Sequence, residues 1–583
     1  MEQPTLGIVA RVILILVVLL VPATTAAAAA GPVGPGGSGG RVVARITFES
    51  QHHLNAVAGE LDIWEIHPED GYVVAALSRP QWEWLTDLGY GVEPDAGRTA
   101  AQAVQGLLDP RFYYFDDQVT NANGRYVVDV LREIEAAYPD LSELIDVGDA
   151  WMADQPGEPH RDLWVLRVTR EDAAHGPIEE KPGFFLSAAM HAREVATAEL
   201  VIRYLWYLTG GYDGEGGYGV DPDVTWLVDH HVAYVLVMQN PDGHADNERD
   251  VSNNRRKNMD WDDGCPIRTW SGVDLNRNHS FLWGCCGGSS SDPCSETYRG
   301  PAAGSEPETA GFEAFVSAVL RDQNGPNGDN EIAPAASITT TGLFISLHSY
   351  GDLVLWPWAF DTFGNAPNHA ELQTIGRKFA SFNGYDATGT IHYDVDGAID
   401  DWVYGKLGIP SFTFEVGPVG GACGGFFPSY DCIDGYAGRD FWAENRPALL
   451  YAHKIAGSPY HTAYGPDVPD VTVTPSGQGP AASLQITATL GDQRCCGDTP
   501  RPIAGAELFV DAAGEPGTGI AMMAVDGGWG GTSEEAVAAL DPTQLSAGRH
   551  LVLVHGQSDE GVWGPFSAAF LPLPYRVYLP AFR

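Results

Sequence analysis

Two histidines and a glutamate in this sequence have the spacing and the chemistry of a metal site. A strand-like run, GFFLSAAM, ends directly before His191, and Glu194 follows three residues later. This pair alone is weak evidence, because a His-x-x-Glu pair is expected about once by chance in a chain with 17 histidines. A second strand-like run, LFISLH, ends in His348. Two imidazoles and one carboxylate form the ligand set of a catalytic zinc ion, which keeps a fourth position open for water.

Glu415 is the candidate base for hydrolysis at such a metal. The run SFTFEV places it between apolar neighbours, where burial favours a raised carboxyl pKa. A solitary buried glutamate is costly without a partner, which favours a functional role. Hydrolysis also needs positive charge for the developing oxyanion. The run NNRRKN contains Arg256, and GVDLNRN contains Asp274, Asn276 and Arg277; taken alone, these are ordinary solvated side chains.

These candidates lie at the ends of predicted strands in one long block, between about residues 111 and 457. Amphipathic helices such as GRYVVDVLREIEAAYP alternate there with buried-strand runs such as DLWVLRV and AYVLVMQ. The alternation predicts an α/β fold with a mixed, mainly parallel sheet flanked by helices. Sheets of this class place their functional sites at the carboxyl ends of their strands. The predicted elements can therefore bring the candidate residues to one edge.

The chain is too long for one core and is predicted to contain three folded units behind a leader. Arg11 precedes an apolar run of about 10 residues, against the roughly 20 that span a bilayer, and alanines follow. This pattern predicts a secretory signal peptide rather than a membrane anchor. The predicted division is a signal peptide at 1–30, a glycine-rich linker at 31–40, a small α/β module with its following linker at 41–108, the α/β domain at 109–458, a linker at 459–470 and an Ig-like β-sandwich at 471–583.

The two smaller units differ in pattern. The first alternates strand-like runs such as RVVARITF with helix-like runs such as RPQWEWLTDLGY, and a soft connecting segment is predicted at about 95–105. The C-terminal unit has short strands separated by glycine and proline, which is typical of a β-sandwich.

Eight cysteines are consistent with an exported protein that can form disulfides. They fall into three groups, which are Cys265 with Cys285, Cys286 and Cys294, then Cys423 with Cys432, then Cys495 with Cys496. We predict bridges within one domain for the first two groups and leave the connectivity of the first group open. Adjacent cysteines such as those of the third group bridge each other only with strain. The predicted location is extracellular.

The formal net charge is −44, from 77 acidic and 33 basic residues. Such a surface repels nucleic acid and anionic lipid, so neither is an expected partner, and no stable membrane insertion is predicted. We expect a monomer.

The acidic cluster at Asp260 to Asp263 could bind calcium, although a solvated face is the simpler interpretation.

A series of short motifs in one order resembles the zinc carboxypeptidase family, which includes carboxypeptidases A, B and T. The resemblance covers roughly residues 111–457. The motifs are HAREVATAEL, NPDG, RRKN, GVDLNRN, PCSETYRGP with SEPE, SLHSY, YDVDGAIDDWVY and SFTFEV. The resemblance implies a carboxypeptidase fold, one zinc ion, and peptide substrates with a free C-terminus.

The resemblance also implies a role for each matching residue. The implied zinc ligands are His191, Glu194 and His348. Glu415 matches the general base, Arg256 the arginine that holds the oxyanion, and Asp274 the carboxylate that orients a zinc-bound histidine. The implied substrate-binding residues are Asn276, Arg277 and Tyr393 for the terminal carboxylate, Arg193 and Tyr350 for the subsites, and Asp400 for the side chain that leaves. An arginine that grips a free carboxylate defines an exopeptidase.

Two finer expectations follow from the resemblance. The module at 41–98 occupies the place of an inhibitory propeptide, so the protein is expected to be a zymogen. Asp400, at the floor of the side-chain pocket, favours basic or dual C-terminal specificity. A shift of one residue would put Ile399 or Asp401 there instead.

Two other functions are compatible with parts of this sequence. A related zinc hydrolase could act on cell-wall peptides as an endopeptidase or an amide deacylase, but Asn276, Arg277 and Tyr393 together weigh against it. A non-enzymatic binding protein on an inactive scaffold would have lost metal ligands or the base, and all four residues are present.

Overall fold

The computed structural model describes residues 40–103, 106–172, 174–325, 327–328, 330–476, 483–546 and 548–571. The predicted signal peptide and residues 31–39 of the predicted linker lie outside this range. None of the described helices has the length and apolar character that crossing a bilayer requires.

The central unit is an eight-stranded sheet with helices on both sides, which confirms the predicted fold class. Its strands are β5 (Ser142–Asp149), β6 (Asp162–Val168), β7 (Gly183–Ala188), β8 (Val232–Leu236), β9 (Leu343–His348), β10 (Leu353–Leu355), β11 (Asp386–Gly389) and β12 (Ser411–Glu415). The strand order is β11-β10-β12-β9-β7-β8-β6-β5. The four central strands, β12, β9, β7 and β8, are parallel, and antiparallel pairs join β10 to β12, β6 to β8 and β5 to β6.

The helices of this unit cover the sheet because strands β7, β8 and β9 are mainly apolar on both faces. Strands β7, β8 and β9 are buried at every position, as expected for parallel strands between helical layers. The helices are α4 (Val127–Ala137), α5 (Val195–Leu208), α6 (Pro222–His230), α7 (Pro241–Arg249), α8 (Pro307–Val319), α9 (His369–Asn383), α10 (Ile399–Leu407), α11 (Phe441–Ile455) and α12 (Pro459–Thr462).

The N-terminal module is a four-stranded antiparallel sheet, in the order β2-β3-β1-β4, with helices packed on it. Its elements are β1 (Val42–Thr47), α1 (Gln51–Ala58), β2 (Asp62–His67), β3 (Tyr72–Leu77), α2 (Arg79–Asp87), β4 (Gly91–Pro94) and α3 (Ala96–Gln102). The expectation of a soft segment at 95–105 was wrong for its first part, which is helical. Asp95 caps α3 by accepting from the backbone N–H of Arg98.

The C-terminal unit consists of two four-stranded antiparallel sheets, β13-β14-β18-β17 and β16-β15-β19-β20, whose apolar faces share one core. The strands are β13 (Asp467–Ser476), β14 (Ser483–Gly491), β15 (Ile503–Val510), β16 (Ile520–Ala521), β17 (Met523–Ala524), β18 (Ser533–Leu540), β19 (His550–Ser558) and β20 (Ser567–Leu571). The predicted linker at 459–470 instead contains α12 and the start of β13. The C-terminal unit packs directly on the central unit. At this contact the buried Lys378 ammonium pairs with Asp467 and Asp492.

All eight cysteines are paired in the structure. The bridges are Cys265–Cys294, Cys285–Cys286, Cys423–Cys432 and Cys495–Cys496. The first six cysteines thus pair within the central unit, as predicted. The open connectivity of the first group is resolved in favour of one long-range bridge and one bridge between neighbours.

Candidate active site

Three adjacent parallel strands deliver the candidate residues to one edge of the central sheet. His191 follows β7, and His348 and Glu415 are the last residues of β9 and β12. His348 and Glu415 are register partners. Glu194 is the residue before the first turn of α5. Because the carboxyl ends of parallel strands meet at one edge, side chains far apart in sequence lie together here.

The two imidazoles and the carboxylate converge on one point. The Nδ1 atoms of His191 and His348 are 3.1 Å apart, and each faces one oxygen of Glu194, at 2.8 and 3.1 Å respectively. All three residues are buried, and their potential ligand atoms lie within 4.8 Å of one another. Two ring nitrogens that face each other across a carboxylate present lone pairs to a shared space. This donor set fits a zinc ion.

The electrostatics of His191 and Glu194 favour metal binding, whereas at His348 a proton competes with a metal. Burial, together with the nearby Arg256 guanidinium, lowers the pKa of His191, which favours the neutral imidazole that a metal requires. Burial opposes ionisation of Glu194, but the two imidazoles outweigh it and lower the pKa of that carboxyl. Burial also opposes protonation of His348, but the Glu194 carboxylate outweighs it and raises the pKa of that imidazole. The Glu194 carboxylate is therefore ionised at neutral pH.

Asp274 lies behind this cluster and holds two of its neighbours. Its Oδ1 is 3.2 Å from Nε2 of His191, and its Oδ2 accepts from Nε and Nη2 of Arg256 at 3.0 and 2.9 Å. Burial opposes its ionisation, but Arg256 and Arg277 outweigh burial and hold its pKa well below the usual range. This fully buried carboxylate thus fixes the ring orientation of His191 and the position of the Arg256 guanidinium.

Glu415 faces the cluster from the neighbouring strand. Burial raises the pKa of its carboxyl to about 8; His348 opposes this rise, and the Glu194 carboxylate adds to it. A bound cation would lower this pKa, since it stabilises the ionised form. The side chain can therefore exchange a proton near neutral pH.

Three polar residues form a group beside the cluster. Asn276, Arg277 and Tyr393 line the same cleft as the two histidines. The amide oxygen of Asn276 accepts from the backbone N–H of Ile399 at 2.9 Å, which leaves its two amide hydrogens for another acceptor. Burial raises the pKa of the Tyr393 phenol to about 12, so this hydroxyl remains a donor at neutral pH. These three side chains present hydrogen-bond donors, as a site for a free carboxylate requires, and Asp274 Oδ2 lies 3.7 Å from Nη1 of Arg277.

The structure distinguishes Asp400 from its two neighbours. Asp400 is buried, lines the cleft, and approaches the Thr413 hydroxyl at 3.4 Å. Asp401 instead accepts from the backbone N–H groups of Ala359 and Phe360, so its carboxylate serves the fold. Ile399 is buried in the core. Of these three residues, only Asp400 lines the cleft.

The N-terminal module covers the outer part of the cleft. Asp62 forms a two-armed ion pair with Arg193, at 2.6 and 2.9 Å, and both side chains are buried. The Tyr350 hydroxyl donates to Glu65 at 3.3 Å. Trp64 lines the cleft as well. The two subsite residues predicted from the sequence are thus occupied by acidic side chains of the module.

Two residues of the cleft were missed by the sequence analysis. The Phe426 ring lies 3.8 Å from the Arg193 guanidinium carbon and contacts the Tyr350 ring edge-on. It comes from an irregular loop, which carries no periodic signal. Thr413 contacts Asp400, and its position two residues before Glu415 puts it on the same face of β12. That spacing could have identified it.

The acidic cluster does not form the solvated face that was expected. Asp260 is buried, and its carboxylate lies within 4.8 Å of those of Asp263 and Glu306. Burial raises the pKa of Asp260 to about 6 and that of Glu306 to about 7. The exposed side of this cluster is limited to Asp262.

Comparison with known proteins gives consistent results. Residues 127–443 match the family model described as zinc carboxypeptidase. The chain is 29% identical over 381 residues to a zinc carboxypeptidase of Saccharothrix mutabilis subsp. capreolus, covering 62% of this chain and 78% of that one. It is 25% identical over 403 residues to bovine carboxypeptidase B, and the match covers 65% of this chain and 85% of that protein.

The fold has a counterpart among solved structures. Carboxypeptidase A from Helicoverpa armigera superposes with a TM-score of 0.53 at 18% identity, covering 71% of this chain and 98% of that chain. At this identity the likeness concerns the fold.

Proposed function

Because the chain belongs to the zinc carboxypeptidase family and is a metallocarboxypeptidase, we propose that it is a secreted enzyme that hydrolyses the last peptide bond of its substrates. One observation carries the proposal: Glu415 and the His191, Glu194 and His348 cluster share a cleft with Arg277. A guanidinium finds its two-armed partner in a free C-terminal carboxylate and none in an internal peptide bond. The disulfides and the predicted signal peptide support secretion.

The proposed mechanism assigns a proton path to Glu415. His191, Glu194 and His348 would hold the zinc ion, which when bound supplies Lewis acidity toward the scissile carbonyl. Glu415 accepts a proton from the attacking water and passes it to the departing amine. Arg256, held by Asp274, donates to the carbonyl oxygen as negative charge develops there.

Substrate position is assigned to the donors beside the cluster. Asn276, Arg277 and Tyr393 would bind the terminal carboxylate, which places the last peptide bond against Glu415. The side chain of the last residue would then enter the pocket at Asp400. Burial raises the pKa of the Asp400 carboxyl, so an entering cation restores its ionised form. We therefore infer basic or dual C-terminal specificity.

Release of single residues from matched peptides tests both the function and the specificity. The peptides end in Arg, Lys, Phe or Leu and are otherwise identical, and mass spectrometry identifies the products. Loss of one residue at a time from the C-terminal end is expected, with the Arg and Lys peptides cleaved at least as fast as the others. Internal cleavage, or none in any peptide, would contradict the proposal.

Asp400→Ala is expected to lower kcat/KM for the Arg and Lys peptides by at least about tenfold, because a cation in the pocket loses its buried partner. The Phe and Leu rates should be unchanged or higher. The exposed Asp386, changed to alanine, is the matched control. If the parent prefers Phe or Leu and Asp400→Ala leaves the Arg and Lys rates unchanged, Asp400 does not select the substrate.

The full chain is expected to be at least about tenfold less active than protein starting near residue 109, because Asp62 and Glu65 occupy Arg193 and Tyr350. Asp62→Ala in the full chain should raise activity part of the way, since breaking a buried ion pair loosens the module. Asp87→Ala, on an exposed part of the module, is the control. The measurement is the rate of cleavage of one peptide substrate. Equal rates for the full chain, the shortened protein and the two variants would show that the module does not inhibit.

A further inference from the structure

Asp396 is a fully buried carboxylate that the proposed reaction does not use. It lies three residues before the first residue of α10 and contacts the loop at residues 285–289, which contains the Cys285–Cys286 bridge. Its Oδ2 accepts from the backbone N–H groups of Cys286 and Gly288, at 3.2 and 2.9 Å, and its Oδ1 accepts from the Ser289 hydroxyl. One carboxylate thus holds three donors of a single loop.

This loop reaches the Arg277 guanidinium through one carbonyl. Gly288 O accepts from Nε of Arg277 at 3.0 Å. The loop is also packed closely against the Asp396 segment, since a Cβ on Gly288 would lie 2.6 Å from the backbone nitrogen of Asp396 and 2.6 Å from Cα of Val395. The Gly288 carbonyl therefore cannot shift without loss of the contacts made by Asp396.

The remaining contacts of Arg277 define which side of its guanidinium is free. Nη1 donates to the backbone carbonyl of Asn276 at 2.8 Å. Among the described residues, Nη2 has no hydrogen-bond partner, and Arg277 lines the cleft. Two backbone carbonyls and the Asp274 carboxylate, whose Oδ2 lies 3.7 Å from Nη1, thus orient the planar group and leave the Nη2 side for a ligand. A guanidinium whose plane is fixed is pre-organised to bind a carboxylate.

We propose that Asp396 is a positioning residue for carboxylate binding: by holding the 285–289 loop it places the Gly288 carbonyl, which orients the Arg277 guanidinium toward the substrate's C-terminus. The inference rests on the proposed function, in which Arg277 binds that carboxylate. In this proposal neither Asp396 nor the 285–289 loop contacts the reacting atoms. Loss of Asp396 should therefore weaken substrate binding and leave the chemical step nearly intact.

The test separates KM from kcat in zinc-loaded variants made as the full chain, with activity measured before and after limited proteolysis of the 99–108 segment. Asp396→Ala is expected to raise KM by about tenfold with kcat within about twofold of the parent. Gly288→Ala, which displaces the loop from the other side, should do the same. Asp396→Asn should be close to the parent, because its amide oxygen still accepts from the two backbone N–H groups.

Inhibition by arginine and by argininamide provides a readout that general destabilisation would not move. Both ligands carry the same side chain, and only arginine carries the carboxylate. Asp396→Ala should weaken inhibition by arginine about tenfold and leave inhibition by argininamide unchanged. Asp492→Ala is the matched control, because it removes a buried carboxylate that accepts from a backbone N–H far from the cleft, in the C-terminal unit. It should lower the melting temperature without changing either inhibition constant.

Arg277→Lys separates failure of this inference from failure of the proposed function. If Arg277→Lys raises KM while Asp396→Ala and Gly288→Ala do not, Arg277 binds the carboxylate and Asp396 does not position it. If Arg277→Lys leaves KM unchanged, the proposed carboxylate site itself is wrong. The inference is also overturned if Asp396→Ala weakens inhibition by arginine and inhibition by argininamide to the same extent. If Asp396→Ala does not fold, Gly288→Ala decides alone.

Discussion

Glu415→Gln is expected to lower kcat by ~10²–10⁴-fold, the range typical of a lost general base, with KM nearly unchanged. The amide has almost the same shape as the carboxyl group but cannot accept a proton from water. The metal ligands and the residues proposed to bind the substrate stay in place, so binding should survive. Steady-state kinetics on one defined peptide measures the effect.

The pH profile gives a second readout for the same variant. Burial raises the pKa of the Glu415 carboxyl to about 8, and a bound cation would lower it. Since the ionised form is the base, activity of the parent should fall as the pH drops through this pKa, and the variant should lack that dependence. Glu133→Gln, on the exposed side of α4, is the control. Near-normal turnover in Glu415→Gln would show that another group takes the proton.

The position of the site could be predicted from the sequence because it follows from strand ends. The runs that lead to His191, His348 and Glu415 are rich in apolar residues, and such runs form the central strands of a sheet buried between helices. Their carboxyl ends then share one edge. The central sheet is confirmed by the structure. The close approach of the two imidazoles to Glu194 requires only that these strands be neighbours in the sheet.

Contacts between segments far apart in the sequence could not be predicted in the same way. The pairing of Asp62 with Arg193 joins the module to the central unit, and no pattern in either segment specifies that partner. The hold of Asp396 on the 285–289 loop depends on a turn whose shape is set by its glycines and by a bridge between adjacent cysteines. Phe426 enters the cleft from an irregular loop. In each case the contact depends on tertiary packing rather than on local periodicity.

The soft segment predicted at 95–105 shows a local signal that was overlooked. Asp95 is followed three residues later by Arg98, whose backbone N–H it accepts, and this capping starts α3. The same arginine pairs with Glu65, which also contacts Tyr350. The helix is therefore tied to the residues that cover the cleft, and it is not a free connector.

Removal of zinc is expected to abolish release of C-terminal residues while leaving the fold intact. One three-ligand site adds little to a domain that has its own large core. Circular dichroism of the metal-stripped protein should therefore match that of the loaded protein. Glu194→Gln should act in the same direction, by weakening zinc binding, whereas Glu415→Gln should bind zinc normally. Metal content measured on each purified variant distinguishes these two effects.

The most direct measurement compares two peptides that differ only at the C-terminus, one ending in a free carboxylate and one in an amide, with metal-stripped and zinc-restored protein. Mass spectrometry follows loss of the last residue. The account predicts rapid release from the free-acid peptide by the zinc-restored protein, little or none from the amide, and none from either peptide without zinc. Full activity of the metal-free protein, or equal cleavage of the acid and the amide, would contradict it.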